Sequence, residues 1–127
     1  MSDSLRTYHA VKGRVCQTLP TEDAYLVNNV SLMVTGLVRS RSVQQKEIAS
    51  EVPLRTHDRS FEQRQRRFLV NESVDVDRVY APFIRPFMQA SKGQMIPITL
   101  DGSAAGYHCQ MLMAAVSYQH RALPLAW

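Results

Sequence analysis

Leu26, Val30, Met33 and Leu37 recur at intervals of three and four, and Val27, Val34 and Val38 widen the same stripe. This spacing predicts an amphipathic helix, opened by Thr21 as N-cap with Glu22 and Asp23 in its first turn and closed near Arg39-Ser40-Arg41. A weaker helical stripe precedes it from Ser4 to Thr18, with Leu5, Tyr8, Val11 and Val15 at helical spacing, and Pro20 separates the two. After it, Ser42 opens a short helix, Val43 to Glu51, that carries Ile48 and is stopped by Pro53. Asp58 opens a helix from Arg59 to about Asn71, with a narrow stripe of Phe61, Gln65, Phe68 and Leu69. Asp75 opens a last helix to about Ser91, with Val79, Phe83, Phe87 and Ala90 on one face. Pro82 and Pro86 lie inside it, and each removes an amide, so kinks or a break are expected there.

At Lys92-Gly93-Gln94 the apolar period changes from about 3.6 residues to 2. Met95 to Asp101 forms a first strand, in tension with Pro97. Tyr107 to Ser117 forms a second, with Cys109, Met111, Met113 and Ala115 on one face and Leu112, Ala114 and Val116 on the other, the pattern of a strand buried on both sides. Ala122 to Trp127 forms a third. The expected class is α+β: a helical bundle over residues 1–92, then three antiparallel strands over 93–127.

Composition changes this picture in two respects. With 45% hydrophobic and 20% charged residues, the 127-residue chain is a folded one, not a disordered one. Its net charge of +4 is carried entirely by the helical front, where 14 Lys/Arg oppose 10 Asp/Glu, whereas residues 93–127 hold only Arg121 and Asp101. A basic front suggests an anionic partner. Cys16 and Cys109 lie far apart in apolar runs and read as buried free thiols, which fits a reducing cytoplasm. The start Met1-Ser2-Asp3-Ser4 lacks an apolar leader core, and no apolar run is long enough to span a bilayer, so a cytoplasmic protein with no membrane partner is expected.

Two features carry candidate chemistry. The pair of helices around Pro53 has helix-turn-helix proportions with a long linker. Between Arg55 and Arg67 stand five arginines, Arg55, Arg59, Arg64, Arg66 and Arg67, against Asp58 and Glu62. Guanidinium groups at that density can neutralise phosphates or read guanine edges; equally, they can form a solvated face on a helix that packs through Phe61 and Phe68. Asp101 closes an apolar strand and is followed by Gly102-Ser103, a way to present a metal ligand and also an ordinary turn signal. It is the last carboxylate of the chain. Gly102 to Gly106 lacks the Lys-Ser/Thr end of a phosphate loop, and the four histidines show no zinc spacing.

In combination, several runs resemble the N-terminal portion of bacterial insertion-sequence transposases with a DDE, ribonuclease H-like catalytic domain. They are Leu37 to Val43 with Glu47-Ile48-Ala49, Gln63 to Leu69 with Val74 to Asp77, Tyr80, Pro82 and Arg85-Pro86, Leu100 to Ser103, Met111 to Tyr118 and Arg121 to Trp127. The resemblance runs from about residue 20 to the end. It implies that the helices hold transposon-end DNA and that the strands are the first three of a ribonuclease H-like domain, here incomplete. It further implies that Asp101 is the first catalytic aspartate, sharing Mg2+ or Mn2+ with a second Asp and a Glu further along. This chain departs from the pattern by lacking both, so a catalytically inactive fragment is expected, with a first strand whose open edge favours self-association. The rival readings are a stand-alone helix-turn-helix DNA-binding protein or transposition inhibitor, and a protein whose partner is not DNA.

Overall fold

The computed structural model describes residues 2–54 and 58–127. Among these, five helices precede a three-stranded antiparallel sheet, so the α+β class is observed. The helices are α1 Asp3–Thr18, α2 Ala24–Ser40, α3 Gln45–Glu51, α4 Asp58–Leu69 and α5 Val76–Ala90; the strands are β1 Ile98–Ala104, β2 Gln110–Tyr118 and β3 Arg121–Ala126. The chain forms two compact units, one up to Pro82 and one from Phe83.

In the first unit, local side chains set the helix ends. Asp23, not Thr21, caps α2: its carboxylate accepts from the Leu26 amide at 2.7 Å. Glu22 is thereby left outside the helix, where it pairs with Arg78 at 3.0 Å. Ser42 accepts from the Gln44 amide at 3.1 Å, and α3 begins at Gln45 rather than Val43. Asp75 caps α5 as expected, accepting from the Arg78 amide at 3.1 Å.

Two apolar clusters hold this unit. Val15 and Leu19 at the end of α1 meet Leu26 and Val27 of α2 and Phe68 of α4, with Val74 and Val79 alongside. Leu32 of α2 meets Ile48 and Ala49 of α3 and Phe61 of α4, with Tyr8 alongside. The expected stripe of α2 is only half the story. Leu37 and Val38 are exposed, while Asn29, Ser31, Thr35 and Gly36 are buried. The Ser31 and Thr35 hydroxyls donate to the Val27 and Ser31 carbonyls at 2.6 and 2.7 Å, which satisfies them without a tertiary partner. Gly36 lets α3 come close: a Cβ there would lie 2.5 Å from Ile48 Cγ2 and 2.7 Å from its carbonyl oxygen. A glycine thus replaces bulk where α2 and α3 touch.

α5 runs unbroken across Pro82 and Pro86. The two prolines are one turn apart, so both lost amides fall on one side, and the remaining hydrogen bonds carry the helix.

In the second unit, β2 lies between β1 and β3. β1 starts three residues later than the pattern suggests, because Pro97 lacks an amide; its carbonyl still accepts from Ser117 at 3.0 Å. β1 then continues through Gly102, Ser103 and Ala104, opposite Leu112, Met111 and Gln110. The turn therefore falls at residues 105–109, where the Ala105 amide donates to the Cys109 carbonyl at 2.7 Å and Gly106 takes a φ of 81°. Cys109 sits in this turn and is exposed, as is Cys16 on the outer side of α1, so neither thiol is buried as expected. Burial of β2 on both faces is confined to Ala115 and Val116, which lie on opposite faces; Leu112 is 65% exposed. Phe87 meets Tyr118 edge-on at 5.0 Å. Pro124 lies in the edge strand β3 beside a register shift at Ala114/Ala115, a place that tolerates a residue without an amide. No helix among the described residues is long and apolar enough to cross a membrane.

Candidate nucleic-acid interface

α4 is held by one side and open on the other. Phe61, Gln65 and Phe68 follow the helical repeat inward and are buried, whereas Leu69, expected on the same stripe, is 58% exposed. The same repeat turns Arg59, Gln63, Arg66 and Arg67 outward, and all four are exposed. Three guanidinium groups and an amide on one rigid face are donors of the kind that meet phosphates and base edges. Arg66 Nε also donates to Gln45 Oε1 of α3 at 3.2 Å.

Arg64 differs from its neighbours. It lies on the flank of α4, half-buried, and its Nε donates to Oδ1 of the buried Asn29 at 2.7 Å. It therefore joins α4 to α2 instead of standing free. Arg55 lies outside the described residues.

The arginines differ in whether a carboxylate meets them. Arg6, Arg39 and Arg78 have carboxylate partners: Arg6 and Arg39 both meet Asp3 at 2.7 Å, Arg39 also meets Glu51 at 2.9 Å, and Arg78 meets Glu22. The arginines of α4 have no carboxylate partner among the described residues. Among the described residues the same is true of Arg14, Arg41, Arg85 and Arg121; α4 differs in carrying four such arginines on one 12-residue helix.

Beside this face, Tyr25 at the start of α2 and Ser60, Gln63, Arg64 and Arg67 of α4 line an open cleft of about 420 Å3. Tyr25 is 48% exposed, and its ring lies 6.1 Å from that of Phe68. Charge counting alone misses Tyr25, Asn29, Ser60 and Gln63. The signals for Ser60 and Gln63 were their helical spacing from Arg64 and Arg67.

Asp101 sits elsewhere. It is not at the end of a strand but in the middle of β1, opposite Met113, because pairing with β2 continues for three residues beyond it. It is exposed and shares its face with Thr99, Ser103, Met111 and Met113. Among the described residues no group of three His, Cys, Asp or Glu side chains is placed to hold a metal ion. The side chains around Asp101 therefore do not fit a two-metal centre, which needs several converging oxygens.

No protein-family model matches the chain, and neither does any curated protein or solved structure.

Proposed function

We propose that this chain binds duplex DNA through α4 and that it is the N-terminal part of an insertion-sequence transposase of the DDE type. The observation that carries the DNA-binding reading is the outward face of α4, where Arg59, Arg66 and Arg67 are exposed with no carboxylate partner among the described residues. α3 and α4, packed on α2, supply the rigid base that a helix entering the major groove requires. The transposase reading rests on the sequence resemblance, with the sheet as the opening strands of a ribonuclease H-like domain. In that reading strand cleavage belongs to a longer protein, whose other carboxylates would have to complete any metal set that includes Asp101.

Fluorescence anisotropy on a mixed-sequence duplex tests the first part. Affinity should fall steeply with salt, and Arg66→Ala/Arg67→Ala should lower the salt slope by about 2, one for each lost phosphate contact. An unchanged slope and affinity would overturn the assignment to α4. Incubating the chain with DNA and Mn2+ tests the second part: cleavage abolished by Asp101→Ala would show that the chain needs no further carboxylates.

A further inference from the structure

We propose that the cleft between Tyr25 and α4 is a nucleotide pocket, which holds an unpaired DNA base on Tyr25 and the attached phosphate on Arg64 and Arg67. The proposal rests on the DNA-binding reading and adds a second kind of contact to it.

The cleft is built rather than incidental. Ser60, Gln63, Arg64 and Arg67 are spaced by three, four and seven residues, so one stripe of α4 supplies four of its five lining side chains. Asn29 organises it from below. Its Nδ2 donates to the Tyr25 carbonyl at 2.7 Å, and its Oδ1 receives Arg64 Nε at 2.7 Å. One buried side chain thus bonds both to the aromatic residue's carbonyl, one turn earlier in α2, and to the guanidinium of Arg64. Arg64 spends its Nε on this contact and keeps its terminal nitrogens for an anion. Among the described residues no carboxylate lines the cleft to oppose one.

Three features select a nucleotide over a bare anion. Tyr25 rests against Phe68 with the two rings tilted by 58°, and nearly half of its surface stays open. An aromatic surface beside two guanidinium groups matches base stacking next to phosphate binding. The Ser60 hydroxyl and Gln63 amide add donors and acceptors for a base edge. The volume of about 420 Å3 also suits a small organic ligand better than a single ion. A base stacked within a duplex has no free face for Tyr25, so the occupant is an unpaired nucleotide at an end, nick or distorted step.

The test compares a blunt duplex with the same duplex carrying a short 3′ single-stranded extension, by anisotropy, for the wild type, Tyr25→Leu and Tyr25→Phe. The extension should tighten binding about fivefold or more, the scale of one stacked base. Tyr25→Leu should remove that gain, read as the ratio of extended-duplex to blunt-duplex affinity within each variant; Tyr25→Phe should keep it. Thermal melts matching the wild type would show that the Leu variant is folded. No gain from the extension, or a gain that survives Tyr25→Leu, would overturn the pocket while leaving the DNA-binding reading intact. Loss of all blunt-duplex binding would overturn that reading instead, and an extension effect sensitive to Tyr25→Leu would still support the pocket. As an independent readout, dAMP should shift the Arg64 Nε–H resonance at concentrations where inorganic phosphate does not; equal shifts would mark an anion-only cleft and overturn the proposal.

Discussion

Arg64 of α4 donates from Nε to Oδ1 of Asn29 in α2 at 2.7 Å, and Asn29 is only 2% exposed. The contact makes Arg64 part of the fold as well as part of the basic surface. Replacing Asn29 with Ala leaves a half-buried guanidinium without its acceptor, at a cost of about 1.5–3 kcal/mol. Urea unfolding of Asn29→Ala should show this loss. Arg64→Ala should likewise lose stability, whereas Arg66→Ala and Arg67→Ala should melt within about 0.5 kcal/mol of the wild type and lose DNA affinity. Equal stability of all three arginine variants would contradict the distinction.

Gly36 should not tolerate a side chain. A Cβ at that position meets the Ile48 carbonyl oxygen at 2.7 Å, and a backbone atom cannot swing aside. Ala favours a helix by about 1 kcal/mol over Gly, but overpacking of this kind costs about 1–3 kcal/mol. Because the clash involves backbone, the upper part of that range applies, and Gly36→Ala should lower the melting temperature. A stabilised variant would mean that α2 and α3 separate freely.

Gln65 is 1% exposed, and neither Nε2 nor Oε1 has a hydrogen-bond partner among the described residues. Burying an amide unpaired costs about 1–3 kcal/mol, and an apolar side chain of similar shape avoids that cost. Gln65→Met should therefore raise the denaturation midpoint. A lower midpoint would show that the amide finds a partner in solution.

Acid should loosen the join between α1, α2 and α3. The Asp3 carboxyl is held below the usual carboxylate range, first by its hydrogen bond from Arg6 and then by that from Arg39. The folded state therefore favours the ionised form. Its contribution is fully present above the ordinary carboxylate value of about 3.9 and is lost as the pH falls through the lowered folded value. Asp3→Asn should flatten the acid limb of a stability profile below about pH 4 and leave its shape at neutral pH unchanged. An unaltered acid limb would remove Asp3 from the account.

Much of the first unit was legible in the chain. The inward set Phe61, Gln65 and Phe68 on α4 follows from the helical period, and so do the exposed Arg59, Arg66 and Arg67. The α2 stripe was read less well. A pattern built on large apolar residues is blind to Ser31, Thr35 and Gly36, which are buried because they are small and can satisfy themselves within the helix. In the sheet, the alternation that identifies three strands says nothing about where pairing stops, so Asp101 moved from a strand end to a strand middle.

The sequence by itself determined the local features: five helical stretches, the switch to a two-residue period after Gln94, and the concentration of arginine on one short helix. Each depends on neighbours within a few residues, where period, caps and proline act directly. Only the tertiary structure decided which arginines are free. Arg39 and Arg78 are matched by carboxylates from distant parts of the chain, and Arg64 is tied to Asn29, 35 positions away, so their roles depend on chain crossings that no local pattern encodes. The same holds for the cleft, because Tyr25 and the α4 arginines line one opening only when Phe68 packs against α2.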